Sequence, residues 1–103
     1  MSVLLEFAMF PTDKGESVSQ YVSKVIKMIS EECEHYKLTA MGTIIETETL
    51  EEALDIVNKA YKILEVYSDR VYSSIKLDIR KNRSNRLTGK IKSIEEKIGK
   101  INK

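Results

Sequence analysis

The most informative stretch of the sequence is Tyr72-Ser73-Ser74-Ile75-Lys76-Leu77-Asp78-Ile79-Arg80, because its side chains alternate as they do along a β-strand. One face of this strand is mainly apolar, and the other carries only hydrogen-bonding groups. The apolar row is Ile75, Leu77 and Ile79 with Ser73, and the polar row is Tyr72, Ser74, Lys76, Asp78 and Arg80. An ordinary solvated sheet face gives the same alternation. The strand alone therefore leaves open both a polar binding face and a plain solvent-facing one.

The residues near the N-terminus predict a strand followed by a helix. Residues 2–10 alternate with largely apolar groups on both faces, which is typical of a central strand, and Pro11 ends the run. Ser17 and Gln20 then form the pattern of a helix capping box. The apolar residues that follow recur at helical spacing and predict an amphipathic helix of about four turns. They are Val18, Tyr21, Val22, Val25, Ile26, Ile29 and Cys33.

The middle of the chain predicts two short strands and a second helix. Lys37–Ala40 and Thr43–Glu46 are strand-like runs that are hinged at Met41-Gly42. Thr49 and Glu52 repeat the capping-box pattern ahead of the next helix. The apolar face of that helix is Leu50, Ala53, Leu54, Val57, Ala60, Tyr61 and Leu64.

With a last strand from about Asp69 to Arg80, the order is strand, helix, strand, strand, helix, strand. This order predicts an α+β fold of the ferredoxin-like type, a βαββαβ sandwich. Right-handed crossovers then place both helices on one face of a four-stranded antiparallel sheet in the order 4-1-3-2. The opposite face of the sheet is expected to be uncovered.

A third helix is predicted at about residues 87–101, where Leu87, Ile91, Ile94, Ile98 and Ile101 form a narrow apolar seam. A seam of that width suits packing against one neighbouring helix, for example one from another subunit, better than it suits covering a sheet. The chain of 103 residues is long enough for one core and too short for two. We therefore expect a single ferredoxin-like domain over residues 1–103 with this helix at its end.

The composition is that of an ordinary globular protein, with 42% hydrophobic and 32% charged residues. The chain has neither the pattern of a signal peptide nor an apolar run long enough to cross a bilayer. Cys33 is the only cysteine, so an internal disulfide is impossible and a reduced compartment fits. These features predict a cytoplasmic protein without a membrane partner.

Charge is spread unevenly along the chain. Residues 1–75 carry 7 basic and 13 acidic groups, whereas residues 76–103 carry 10 basic and 3 acidic groups. Such asymmetry fits an anionic partner such as RNA, or an acidic surface on another copy of the chain. No aromatic residue lies among the basic residues after Tyr72, so a nucleic acid would find no stacking platform. We therefore expect no nucleic-acid partner.

The uncovered sheet face is the candidate site. Strand parity assigns to it Glu6, Ala8 and Phe10 from the first strand and Ser74, Lys76 and Asp78 from the fourth. The third strand adds either Ile44 and Glu46 or their neighbours. A carboxylate on a central strand is unusual, and burying it unpaired would cost several kcal/mol. If a second subunit covers this face, Glu6 is expected to meet Lys76, a serine hydroxyl or a ligand. The alternative is a plain cross-strand pair of Glu6 and Lys76 without a ligand.

Catalytic and metal-binding signatures are lacking in this sequence. Cys33 and His35 are too few for a metal site, and their spacing does not put them on one helix face. Ser73 and Ser74 have no histidine nearby in the sequence, and Gly42 alone does not make a phosphate loop. We therefore expect no catalytic residues, no metal and no cofactor.

Three segments in this order resemble the small thiamine-binding protein family. They are the opening Val3–Pro11, the hinge and strand Met41–Glu46, and the last strand Arg70–Arg80. The resemblance covers nearly the whole chain. It implies a ferredoxin-like fold, assembly into dimers and tetramers through the sheets, and binding of thiamine or its hydroxymethylpyrimidine part without catalysis.

Thiamine has an aminopyrimidine, which needs hydrogen-bonding partners, and a cationic thiazolium, which favours aromatic or acidic surroundings. The residues expected to supply these groups are Glu6, Phe10, Thr43, Tyr72 and Ser74. The leading hypothesis is a non-enzymatic binding protein with its pocket at the interface of a homodimer or homotetramer. The alternative is a structural or regulatory homo-oligomer without a specific small-molecule ligand.

Overall fold

The computed structural model describes residues 1–102 and contains one four-stranded antiparallel sheet with three helices. The elements are β1 (Ser2–Pro11), α1 (Ser19–Glu32), β2 (Tyr36–Leu38), β3 (Thr43–Thr47), α2 (Leu50–Glu65), β4 (Val71–Arg80) and α3 (Arg86–Ile98). The strands lie in the order β2-β3-β1-β4. Both the βαββαβ order and the sheet order confirm the predicted ferredoxin-like α+β fold.

The core lies between one face of β1 and the two long helices. Val3, Leu5, Phe7 and Met9 alternate along β1 and are at most 7% exposed. They pack against Val25 and Ile29 of α1 and against Ala53, Ile56, Ala60 and Leu64 of α2. Burying this alternating row forces the residues between, beginning with Leu4 and Glu6, onto the opposite face.

The two predicted capping boxes have different outcomes. At α2, the Thr49 hydroxyl accepts a hydrogen bond from the Glu52 N–H at 3.1 Å, so this cap is confirmed. At α1, the prediction of a box at Ser17 and Gln20 is wrong. The helix begins at Ser19, and the N-cap residue is Val18, which has no side chain that can accept a hydrogen bond.

The third helix is shorter than predicted and packs on its own sheet. It ends at Ile98 rather than near residue 101, because Gly99 adopts a φ of 92° and stops the helical path. Contacts join α3 to β3 and β1 of the same chain. Leu87, Ile91 and Ile94 of the apolar seam are half-buried, whereas Ile98 is 72% exposed. The prediction that the seam packs on a helix rather than on a sheet is therefore wrong for this part of α3, which covers β1 and β3.

The hinge between β2 and β3 depends on the absence of a side chain at Gly42. A Cβ built there would lie 2.9 Å from the Phe7 carbonyl oxygen, closer than such contacts allow. The hydroxyl of Thr39 holds the same turn, since it accepts hydrogen bonds from the N–H groups of Met41 and Gly42. The hinge is therefore pressed against the central strand.

We predict that Gly42→Ala lowers the free energy of unfolding by about 1–3 kcal/mol, because β1 must shift to relieve the contact with Phe7. Gly89→Ala in α3 is the matched control, since nothing lies within 4 Å of its Cβ position. That change is expected to be neutral or to stabilise the protein by up to about 1 kcal/mol. Urea denaturation of both variants measures the difference, and equal midpoints would contradict the prediction.

Candidate functional site

Four of the five predicted site residues share the sheet face that α1 and α2 leave uncovered. The register pairs Glu6 with Lys76, Ala8 with Ser74, and Phe10 with Tyr72. The rings of Phe10 and Tyr72 have centroids 5.7 Å apart at an interplanar angle of 42°. An aromatic pair, a serine hydroxyl and a carboxylate therefore follow one another along the boundary of β1 and β4.

The Glu6 carboxylate is weakly paired. A Glu6 oxygen lies 3.9 Å from the Lys76 ammonium nitrogen, and the two side chains are 45% and 79% exposed. An exposed ion pair at that distance contributes at most about 1 kcal/mol. The expected cross-strand pair is present, but it leaves the carboxylate accessible for a further hydrogen bond.

Thr43, the fifth predicted residue, lies on the other face of the sheet. It pairs with Phe7 in the register and is 5% exposed, on the side that the helices cover. The open-face residues of β3 are instead Ile44 and Glu46, which pair with Glu6 and Leu4. The register of β1 and β3 therefore settles which of the two β3 rows joins the candidate face, and it separates Thr43 from Glu6, Tyr72 and Ser74.

A groove at one end of the sheet reaches both faces. It has a volume of about 300 Å³ and lies between the end of β1, α1 and the turn at residues 39–42. Its lining is mostly apolar and includes Val22, Ile26 and Met41. Phe10 and Thr43 also line it, so the groove joins one predicted residue of the open face to the one that lies behind the sheet.

The other end of the open face is closed by a hydrogen-bonded cluster of Ser2, Glu46, Asp78 and Arg86. The Glu46 carboxylate accepts hydrogen bonds from the N–H groups of Arg86 and Leu87 at 3.0 and 3.1 Å, and from the Ser2 hydroxyl at 2.5 Å. A carboxylate at this place satisfies the free N–H groups of the first turn of α3 and complements the helix dipole.

The Arg86 side chain completes the cluster. It is 8% exposed and donates to an Asp78 carboxylate oxygen at 2.8 Å and to the carbonyl oxygens of Ser2 and Asp78 at 2.7 and 2.6 Å. Sequence reasoning missed this role because Arg86 looks like one basic residue among many. For Glu46 the sequence did give a signal, because the alternation of side chains along the third strand allowed it to lie on the open face.

Burial raises the pKa of the Glu46 carboxyl, but hydrogen bonds from Ser2 and the α3 N–H groups, together with the Arg86 charge, outweigh it. The net effect is a pKa below the ordinary glutamate value. A lowered pKa in the folded state means that the charged carboxylate stabilises the docked helix at neutral pH. That contribution is lost as pH falls through the lowered pKa.

A second cavity, of about 410 Å³, lies at the α3 end and is lined by acidic residues that include Glu32, Glu48 and Asp55. Cys33 and His35 also line it. Burial, followed by the charge of Glu32, raises the pKa of the Cys33 thiol, which disfavours the reactive thiolate.

Within residues 1–102, no cluster of three or more histidine, cysteine, aspartate or glutamate side chains could hold a metal ion. In the same range no helix has the length and apolar character needed to span a membrane.

The fold and the open face together define a ferredoxin-like domain with a group of polar and aromatic residues at the boundary of β1 and β4. The sequence model of the thiamine-binding protein family matches residues 5–95. The chain belongs to this family, as the resemblance of its three segments predicted.

Relatives and solved structures agree with this assignment. A UPF0045 protein of Methanocaldococcus jannaschii is 37% identical over 94 residues, covering 91% of this chain and 93% of the relative. A UPF0045 protein of Methanothermobacter thermautotrophicus is 35% identical over 83 residues, which cover 80% of this chain and 84% of the relative. A crystal structure of a hypothetical protein from M. jannaschii superposes with a TM-score of 0.79 at 38% identity, covering 92% of this chain and 97% of the other.

A protein of Thermotoga maritima that is named for thiamine biosynthesis or salvage has the same fold. Its crystal structure superposes with a TM-score of 0.78 and covers 91% of this chain and 99% of the other. The sequence identity is 18%, so this likeness concerns the fold alone.

We predict that the docking of α3 weakens as pH falls, because protonation of Glu46 removes the charge that holds the first turn of the helix. The amide NMR signals of Arg86 and Leu87 should shift in a single acidic titration. In Glu46→Gln the same signals should not titrate, whereas exposed Glu48→Gln should behave as the wild type. An unchanged titration in Glu46→Gln would show that another group controls the helix.

Proposed function

We propose that this protein binds thiamine, or its hydroxymethylpyrimidine part, without converting it, at the open face of the sheet and with a second copy closing the pocket. The observation that carries the proposal is the grouping of Glu6, Ser74, Phe10 and Tyr72 along one strand boundary. Membership of the thiamine-binding protein family supports the ligand class.

The chemistry of the open face is complementary to the ligand. The Glu6 carboxylate can accept hydrogen bonds from an amino group, and the Ser74 hydroxyl can both donate and accept. The faces of Phe10 and Tyr72 attract a cation, as the thiazolium ring requires. Lys76 would oppose that cation, but its ammonium group lies near the Glu6 carboxylate, which offsets part of its charge.

Binding without catalysis fits the distribution of reactive groups. The only cysteine and the only histidine of the chain, Cys33 and His35, line the acidic cavity near the start of β1. The Phe10 and Tyr72 pair lies at the opposite end of the same strand. The proposed ligand would therefore lie away from the only thiol and the only imidazole of the chain.

A second candidate function, homo-oligomeric assembly, is favoured by the exposed edge of β4. Ile75, Leu77 and Ile79 are 43%, 41% and 44% exposed, because β4 lies at the edge of the sheet. A ten-residue edge strand with an apolar row is a template for uncontrolled pairing unless another strand covers it. Antiparallel pairing with β4 of a second copy would cover it.

The hydrogen-bonding pattern of β4 suits such a pair. The Thr12 N–H donates to the Arg70 carbonyl, and hydrogen-bonded pairs recur at every second residue of an antiparallel ladder. The main-chain groups of the even-numbered residues of β4 therefore bond to β1. Those of the odd-numbered residues point outward from the edge of the sheet. A pair centred on Leu77 sets Ile75 opposite the second copy's Ile79 and Lys76 opposite the second copy's Asp78. A pair centred on Lys76 would instead bring two ammonium groups together. Apolar contact and charge both favour the first arrangement.

We predict that Glu6→Ala weakens thiamine binding about tenfold or more, because a hydrogen bond to a charged group is lost, while the fold survives. Isothermal titration with thiamine and with hydroxymethylpyrimidine measures the effect. Glu31→Ala, on the exposed surface of α1, is the matched control and should bind as the wild type does. Unchanged affinity in Glu6→Ala would exclude Glu6 from the site.

We predict that Leu77→Lys converts the assembly into a monomer, because it puts two like charges at the centre of the proposed strand pair. Leu54→Lys on α2 is the matched control, since Leu54 is 46% exposed and Leu77 is 41% exposed. Light scattering over a range of concentrations measures the mass. A wild-type protein that is monomeric throughout would count against both the closed pocket and the assembly function.

A further inference from the structure

Arg80, the last residue of β4, is a cation without a partner in its own chain. Its side chain is exposed, and within residues 1–102 its guanidinium makes no ion pair. Arg80 pairs with Ser2 in the register, so its side chain belongs to the open face of the sheet. A planar guanidinium has several N–H donors and fits the geometry of a carboxylate or a phosphate.

The aromatic pair of the same copy is out of reach of this arginine. Arg80 lies opposite Ser2, whereas Tyr72 lies opposite Phe10, at the other end of β1. The path along β4 from Tyr72 to Arg80 is about 26 Å at about 3.3 Å per residue. That distance is several times the length of an arginine side chain, so Arg80 cannot serve the site of its own chain.

The edge of β4 gives Arg80 a route to the site of a second copy. In the antiparallel pair centred on Leu77, Ser74 lies opposite the second copy's Arg80. The main-chain groups of even-numbered residues bond to β1, so this is a non-hydrogen-bonded pair with Cα atoms about 4.5 Å apart. Side chains that lie directly opposite share one face of the sheet. The second copy's Arg80 therefore lies on the open face beside Ser74.

Lys76 adds a second cation next to Ser74. It is the next open-face residue of β4, and its ammonium nitrogen lies 3.9 Å from a Glu6 oxygen. The second copy's Asp78 lies opposite Lys76, but in each chain the Asp78 carboxylate already accepts a hydrogen bond from Arg86 at 2.8 Å. The strand pair thus groups a hydroxyl and two cationic side chains around one point of the open face.

We propose that Lys76 and the second copy's Arg80 bind a phosphate group, so that the site prefers a phosphate monoester of thiamine or of hydroxymethylpyrimidine. The inference rests on the proposed function and on the β4 pair, and it specifies the chemical form of the ligand. A phosphate monoester carries nearly two negative charges at neutral pH, and a guanidinium can donate two parallel hydrogen bonds to it. The Ser74 hydroxyl can donate a further hydrogen bond.

The charge of the site favours the same form of the ligand. With thiamine itself, Lys76 and the second copy's Arg80 would both face a cation, and Glu6 would offset only part of their charge. In a monoester of thiamine, the phosphate compensates these two side chains. The thiazolium then remains with Phe10 and Tyr72, which lie on the other side of Ser74 from Lys76.

Isothermal titration with hydroxymethylpyrimidine and with its phosphate monoester tests the preference. The wild type should bind the monoester about tenfold or more tightly than the parent compound, because charge-assisted hydrogen bonds are gained. Arg80→Ala should lose most of this preference and keep its affinity for the parent compound. Lys62→Ala is the matched control, since it removes one positive charge from the exposed surface of α2. Light scattering on Arg80→Ala checks that the strand pair is intact.

The outcomes separate this inference from the proposed function. Equal affinities of the wild type for the two compounds, or a preference that Arg80→Ala keeps, would overturn the inference and leave the proposed function standing. An equal loss of affinity for both compounds in Arg80→Ala would also overturn it, since a phosphate contact cannot act on a ligand without phosphate. Failure of both compounds to bind would overturn the proposed function as well.

Mixed oligomers show whether Arg80 acts across the strand pair. Arg80→Ala and Glu6→Ala chains are refolded together from urea, so that mixed pairs form. In a mixed two-fold pair, one site combines an intact Glu6 of one copy with an intact Arg80 of the other. About a quarter of all sites should then bind the monoester as tightly as the wild type, because random association makes about half of the pairs mixed. Absence of such sites would show that Arg80 does not act in the second copy's site, and would overturn the inference.

Discussion

The position of β1 between β3 and β4 is the constraint on which the rest of the molecule depends. Its odd-numbered side chains, from Val3 to Met9, form the core under the two long helices. Because side chains alternate, this burial forces Glu6, Ala8 and Phe10 to the opposite face. A slip of one residue would bury the Glu6 carboxylate and expose the core row. Burial of the odd-numbered side chains of β1 therefore both stabilises the fold and creates the polar and aromatic face.

Unequal strand lengths make the two ends of that face different. β1 and β4 have ten residues each, whereas β3 has five and β2 has three. Near Ser2, the face is closed by α3, which Glu46 holds at its first turn. Near Phe10, the pairing of β1 with β3 ends at Phe7 and Thr43, and within residues 1–102 no strand continues that side of the sheet, so a groove remains. The fold thus leaves open the end that carries the aromatic pair.

The basic C-terminal third has a use within the chain itself. Arg86 carries one of the ten positive charges after residue 75, and its side chain is almost fully buried between Ser2 and Asp78. Removing one partner of such a cluster would leave a buried charge without compensation. Charge asymmetry along a sequence is thus an incomplete guide to external partners, because some of these charges form internal pairs.

The amino-acid sequence alone was enough to predict the order of the elements, the core row of β1, the Thr49 cap of α2 and the open face with Glu6, Phe10, Tyr72 and Ser74. These depend on periodicity and on contacts between near neighbours in the chain. The face of Thr43, the groove beside Met9 and the contact of Arg86 with Ser2 were decided only by the tertiary structure. The last of these joins residues 84 positions apart. Such features follow from the register and relative lengths of strands that meet across the sheet, which local patterns do not encode.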